Sequence, residues 1–145
     1  MRRGFEKVSG YEYVNLPKRK TKQSAGYDIE SAVNVVITPG ETKLIPTGLK
    51  VYMDENEWLG IYIRSSLAIK YGLILANSVA VIDSDYYNNP DNEGHIMLPI
   101  RNVSGMPYTV KKGDRIAQGI FHRYYKVDND SADGDRTGGI GSTGK

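Results

Sequence analysis

Val33-Asn34-Val35-Val36-Ile37-Thr38-Pro39-Gly40-Glu41-Thr42-Lys43-Leu44-Ile45 is the stretch whose reading decides the fold class. Val33 to Ile37 is β-branched at all but one position and reads as a strand. Thr38-Pro39-Gly40-Glu41 carries turn chemistry, because proline presets one backbone angle and glycine accepts the other. Thr42 to Ile45 then leaves the turn as the next strand. The same rhythm runs outward through Leu49 to Met53, Trp58 to Ile63, Leu73 to Leu75, Val79 to Ile82, His95 to Ile100 and Tyr108 to Val110. A turn at Lys111-Lys112-Gly113-Asp114 leads into Ile116 to Tyr124. Only Ser65 to Tyr71 has a helical pattern, of about two turns. Eleven tyrosines against two phenylalanines suit half-exposed sheet. There is no internal repeat. The expectation is an all-β domain: a sandwich, a jelly roll or a distorted barrel with one short helix.

At 145 residues the chain is long enough for one domain with its own core. The division expected is a β body over 1–127 and a linker with a C-terminal strap over 128–145. No stretch has the apolar length of a membrane span, and Met1-Arg2-Arg3-Gly4-Phe5-Glu6 lacks the apolar core of a signal peptide. The absence of cysteine removes disulfides, thiol nucleophiles and thiolate metal sites, and fits a cytoplasmic protein. A formal charge of +2 is too small to argue for direct nucleic-acid binding, and the basic cluster Lys18, Arg19, Lys20 and Lys22 reads as a solvated loop. With only His95 and His122, neither near a nucleophile elbow, a Ser-His-Asp triad is not supported and a three-histidine metal site is impossible. Chemistry must rest on carboxylates, arginines, hydroxyls and a hard cation held by oxygen.

The sequence ends Arg136-Thr137-Gly138-Gly139-Ile140-Gly141-Ser142-Thr143-Gly144-Lys145. Its composition alone predicts disorder. An arginine opening a Gly/Ser/Thr run also suits a strap whose N–H groups and hydroxyls wrap an anion. Gly139 to Lys145 spells G-x-x-x-x-G-K, but a P-loop needs a preceding strand, a following Ser/Thr and a helix. The sequence stops at Lys145, and that reading is set aside.

Four further segments are rich in polar groups. They are Ser24-Ala25-Gly26-Tyr27-Asp28, Arg64-Ser65-Ser66-Leu67-Ala68, Asn77-Ser78-Val79-Ala80-Val81-Ile82-Asp83-Ser84-Asp85-Tyr86, and Gly113-Asp114-Arg115-Ile116-Ala117-Gln118. In this order, with the tail as the fifth, they resemble the motifs of the trimeric dUTPase family. The resemblance covers about Leu16 to Gly144. Each segment alone is a weak signal; five in order are specific.

The resemblance implies an all-β, jelly-roll-like distorted barrel of the β-clip kind, and a homotrimer. In such a trimer the sites lie between subunits, and the tail of one chain closes over a site built by the other two. It implies hydrolysis of dUTP at the α-phosphorus to dUMP and pyrophosphate. That reaction supplies dUMP for thymidylate synthesis and keeps uracil out of DNA. Asp83 matches the water-activating carboxylate, expected buried on a rigid strand. Asp85, two residues on, is expected on the same face as a structural acid paired with an arginine. Arg64 and Arg136 match phosphate clamps. Ser65 and Ser66 match contacts to the phosphate chain, Ser66 standing where many members have glycine. Gln118 matches a further polar contact, and Arg115 a structural salt bridge. Asn77, with the backbone of Ala80, Val81 and Ile82, would read the uracil edge. Tyr86 would pack under deoxyribose and exclude a 2′-hydroxyl. Met97, Ile140, Gly141 and Ser142 complete the substrate set. Mg²⁺ is the implied cofactor, held mainly by the phosphates, with Asp28 contacting it through water and no dedicated protein cage.

Two departures stand out. Ile140 occupies the tail position where the family usually stacks a phenylalanine on uracil. Tyr87-Asn88-Asn89-Pro90-Asp91-Asn92-Glu93 is inserted where many members turn tightly. Tyr87 and His95 could approach the ligand, or the insertion could be a solvent-exposed hairpin extension. A regulatory protein partner, if there is one, would dock on this loop. Two other readings compete. dCTP deaminase shares this fold and an R-S-S-L-A segment, but Pro99 stands where its catalytic glutamate should be. The other is a nucleotide-binding trimer without turnover.

Overall fold

The computed structural model describes residues 2–140. The turn at 38–41 forms as expected: Glu41 N–H donates to Thr38 O at 3.0 Å, and Gly40 takes a φ of 81° that a side chain would disfavour. Strands of alternating residues flank it and continue along the chain. They are β1 (Gly4–Lys7), β2 (Tyr27–Glu30), β3 (Val35–Ile37), β4 (Thr42–Pro46), β5 (Leu49–Tyr52) and β6 (Glu57–Ile63). Helix α1 (Ser65–Tyr71) follows, then β7 (Leu73–Leu75), β8 (Ala80–Asp83), a 3₁₀ turn (Ser84–Tyr86), β9 (Met97–Asn102), β10 (Tyr108–Val110) and β11 (Arg115–Arg123).

Every strand named from the sequence is present, with ends shifted by at most two residues. Two strands went unread. Gly4–Lys7 is short and half-charged, and gains its partner only from β5, 42 or more residues away in the chain. Tyr27–Glu30 overlaps the polar segment that ends at Asp28, and it pairs with β11.

The strands form four small antiparallel sheets, ordered β2-β11-β6-β8, β4-β9-β7, β1-β5 and β10-β3, rather than one closed barrel. This is the jelly-roll-like all-β architecture expected. Ile29, Ile37, Ile45, Leu59, Ile61, Leu73, Leu98, Ile100 and Ile116 are almost wholly excluded from solvent and form one core. Burying side chains of this size stabilises by roughly 1.5–3 kcal/mol each. Buried Asn102 ties the core to its turns. It donates to Ile37 O and Met106 O at 2.9 and 2.7 Å and accepts from Ser104 N–H at 2.9 Å.

Alternation decides what faces the site. In β9, Leu98 and Ile100 point into the core while Met97 and Pro99 point the other way. Pro99 is tolerated in this central strand because its ladder to β7 ends at Leu75↔Ile100, just before it. β8 is an edge strand, and no described strand pairs with its outer side.

Candidate active site

β8, β9 and the start of the tail enclose a cavity of about 340 Å³. Its lining includes Asn77, Ala80, Val81, Ile82, Asp83, Tyr86, Met97, Arg136 and Ile140, all named from the sequence. Leu44 and Pro99 line it as well. Leu44 was missed, although it sits on the outward face of β4 in register with Pro99, a placement that strand alternation carries.

Asp83 is the last residue of β8, and its side chain is 54% exposed rather than buried. The edge position explains this, since no strand covers its outer side. Asp85, expected on the strand, lies instead in the 3₁₀ turn that follows it. The turn still brings both carboxylates to one arginine. Arg136 Nη2 donates to Asp83 Oδ2 and Arg136 Nε to Asp85 Oδ1, each at 2.7 Å. Arg136 is itself only 9% exposed and lies 5.6 Å from the centre of the Tyr86 ring. An arginine expected on phosphate is thus engaged by two carboxylates, and the pairing holds two like charges side by side. The tail, expected over a site built by other chains, lies here on the third motif of its own chain.

Tyr86 is buried at the floor of the cavity. Its hydroxyl donates to His95 O at 2.7 Å and accepts from Asn92 Nδ2 at 2.9 Å. Burial raises the phenol above its ordinary value, against the Asn92 hydrogen bond. His95 and Tyr87 do not reach the cavity lining. Burial pushes the His95 imidazole below its ordinary value, and its Nε2 accepts from Gly48 N–H at 2.9 Å. Tyr87 donates to Glu6 Oε1 at 2.6 Å; that hydrogen bond, more than burial, raises its phenol. The insertion is only partly solvent-exposed: Asn88, Pro90 and Asp91 face solvent, while Asn89 is only 5% exposed and its side chain holds the loop together.

The remaining residues gather elsewhere on the chain. Gln118 stands opposite Asp28 in the β11–β2 ladder. Its side chain crosses Gly26 so closely that a Cβ there would overlap its amide, which is why the first motif needs glycine. Arg64 leads into α1 and is tied to the fourth motif by its N–H donating to Ile116 O at 3.1 Å. Ser65 and Ser66 form the first turn of α1. Asp28 meets Arg115 at 3.5 Å and lines a separate cavity of about 560 Å³ with Lys7, Lys18, Arg19, Lys20, Glu30 and Arg115. That cavity shares no lining residue with the first. One chain therefore presents the candidate residues as two groups: the nucleoside-side set, and Asp28, Arg64, Ser65, Ser66 and Gln118. Gly141 and Ser142 lie outside the described residues.

No group of three or more His, Asp or Glu side chains is placed to hold a metal among the described residues. Asp28 and Glu30 offer oxygen donors, but lysines and arginines surround them. Such a set fits a hard cation that arrives bound to an anion better than a bare ion. No helix among the described residues is long and apolar enough to cross a membrane.

An antiparallel β-fold whose edge strand, terminal carboxylate Asp83 and C-terminal tail line one cavity is a class with known members. The dUTPase family model matches residues 12–144. The deoxyuridine 5′-triphosphate nucleotidohydrolase of Lactococcus lactis subsp. lactis is 53% identical, over 98% of this chain and 97% of its own. That of Desulfitobacterium hafniense is 40% identical over 89% of this chain and 87% of its own. Among solved structures, the dUTPase from Streptococcus mutans superposes with a TM-score of 0.83 at 44% identity, covering 87% of this chain and 99% of that one. The chain belongs to the dUTPase family.

Proposed function

We propose that this chain hydrolyses dUTP at the α-phosphorus, giving dUMP and pyrophosphate, with Asp83 as the group that activates water. The observation that carries this reading is the cavity itself. It puts a carboxylate, an amide, a buried tyrosine and the tail arginine around one nucleoside-sized space. A water held by Asp83 gives up its proton to the carboxylate as its oxygen bonds to the α-phosphorus. The bond to the bridging oxygen breaks, and pyrophosphate leaves with that electron pair.

Asn77 offers both a donor and an acceptor for the uracil edge, beside the strand backbone of Ala80 to Ile82. Val81, Met97 and Ile140 supply apolar walls, Ile140 without the ring geometry of a stacked aromatic. Arg136 commits Nε and Nη2 to the acids, and its remaining donors suit phosphate oxygens.

The division of the candidate residues into two groups suits a site shared between chains, and membership of the dUTPase family supports a homotrimer as that assembly. In it, Arg64, Ser65, Ser66 and Gln118 of a neighbouring chain complete the phosphate end. Gly141 and Ser142 would extend the tail over the same phosphates, with 1–127 as the body and 128–145 as linker and strap. Mg²⁺ bound to the triphosphate would neutralise its charge, with Asp28 reaching it through water. A variant of the dUTPase from phage phi11 of Staphylococcus aureus, like this chain in fold at 22% identity, is described as coordinating a structural Mg(II) ion. A cytoplasmic location suits an enzyme of this substrate.

Deamination of dCTP is disfavoured because Pro99, which lines the cavity, has no proton to transfer. Pyrophosphate release from dUTP, with dCTP, UTP and dTTP compared, tests the proposal.

Tyr86→Ala opens space beneath the sugar. The ratio of kcat/KM for UTP to that for dUTP should rise about tenfold or more, within the range that pocket-shape discrimination supplies. Because this is a ratio, partial loss of folded protein does not affect it. An unchanged ratio would mean that another group reads the sugar.

A further inference from the structure

The insertion between Tyr86 and Met97 is the part of the chain that the proposed reaction leaves without a role. We propose that its segment Asn89–Asn92 is a positioning clamp that locks the Tyr86 ring from behind and seats the tail at Gly139. Sugar reading and closure of the tail are thereby tied to one loop. The inference rests on the dUTP reading for its kinetic consequences, but its geometry stands alone.

Three observations carry it. Asn92 Nδ2 donates to the Tyr86 hydroxyl at 2.9 Å, while Asn89 Nδ2 donates to Tyr86 O at 2.8 Å. The loop therefore grips both ends of the residue that floors the cavity. Asp91 Oδ2 accepts from Gly139 N–H at 3.2 Å, and Gly138 and Gly139 are buried although Thr137 before them and the linker over 128–135 are exposed. Finally, a Cβ on Gly139 would lie 2.6 Å from Asn92 Nδ2. That amide cannot swing away freely, because Asn92 Oδ1 accepts from Asn89 Nδ2 at 2.8 Å and from Gly94 N–H at 3.1 Å. The tail thus fits the loop only through a glycine.

The loop is itself anchored. Lys50 Nζ donates to Asn88 Oδ1 at 2.6 Å and pairs with Glu93 at 2.8 Å. That ion pair, with a hydrogen bond from Ser9 N–H, holds the Glu93 carboxyl below its ordinary value. A clamp needs such a footing, since a mobile loop would not transmit position.

The test uses the full-length protein with Asp91→Ala, Asp91→Asn and Asn92→Ala. Two properties are read: hydrogen exchange of the tail peptide carrying Gly139, and kcat and KM for dUTP and UTP. Asp91→Ala should speed exchange and lower kcat/KM for dUTP by about 5- to 10-fold, the scale of one lost hydrogen-bond acceptor facing a buried donor. Asp91→Asn keeps an oxygen acceptor and should restore both to within about twofold. Asn92→Ala frees the Tyr86 ring and should raise UTP use relative to dUTP by about fivefold. Wild-type exchange in Asp91→Ala, or equal damage in Asp91→Asn, overturns the tail contact. An unchanged UTP/dUTP ratio in Asn92→Ala overturns the grip on Tyr86. Inactivity of the wild type on dUTP with faster exchange in Asp91→Ala would instead refute the dUTP reading and leave the clamp standing.

Discussion

Asp83→Asn should leave dUTP binding near that of the wild type and lower turnover by about two to four orders of magnitude, the span of general-base catalysis. The substitution is nearly isosteric and lies at an open edge, so the fold has little reason to change. Asparagine keeps an oxygen for Arg136 and loses the ability to take a proton from water. Asp85 stays paired with Arg136 at 2.7 Å, so the tail keeps one anchor. Binding by calorimetry, set beside single-turnover rates, separates the two effects. Turnover that survives the change would show that the base is misassigned, with Asp85 the next candidate because it meets the same guanidinium.

Removing residues 136–145 should cost about a hundredfold or more in kcat/KM, comparable to deleting preorganised charge-stabilising donors. The body should remain folded and keep its oligomeric state. Arg136 bridges Asp83 and Asp85 and lies over the Tyr86 ring, so truncation removes the group that orders the acid pair. Among the described residues, none of the fully buried core lies beyond Ala117, so the core stays buried without the tail. Circular dichroism and sizing would confirm the intact body beside the assay. Near-normal activity without the tail would contradict the strap.

The strand pattern was legible because alternation and turn residues are local. The 38–41 turn and the Ser65–Tyr71 helix were read with their bounds. β1 and β2 were not, because their pairing depends on partners far along the chain. Asn77, Ala80, Val81, Ile82, Asp83 and Tyr86 were legible in one contiguous motif, and the structure gathers them with Met97, Arg136 and Ile140 around one cavity. What the sequence hid was exposure and pairing. Asp83 was expected to be buried, yet strand order leaves β8 at an edge. Asp85 was expected on the strand, yet the chain turns directly after Asp83. The insertion is rich in Asn, Pro and Asp, a composition that also suits a solvent-exposed hairpin extension. Those same short amides make the hydrogen bonds that fold it inward.

Pyrophosphate release by the purified protein with Mg²⁺, comparing dUTP, dCTP, UTP and dTTP, tests the central claim most directly. Fast release from dUTP, with the other three near background, is the predicted result. It would tie the Asp83 chemistry to the pocket of Asn77 and Tyr86. Silence on all four nucleotides from folded protein would contradict the account and leave a nucleotide-binding protein without turnover.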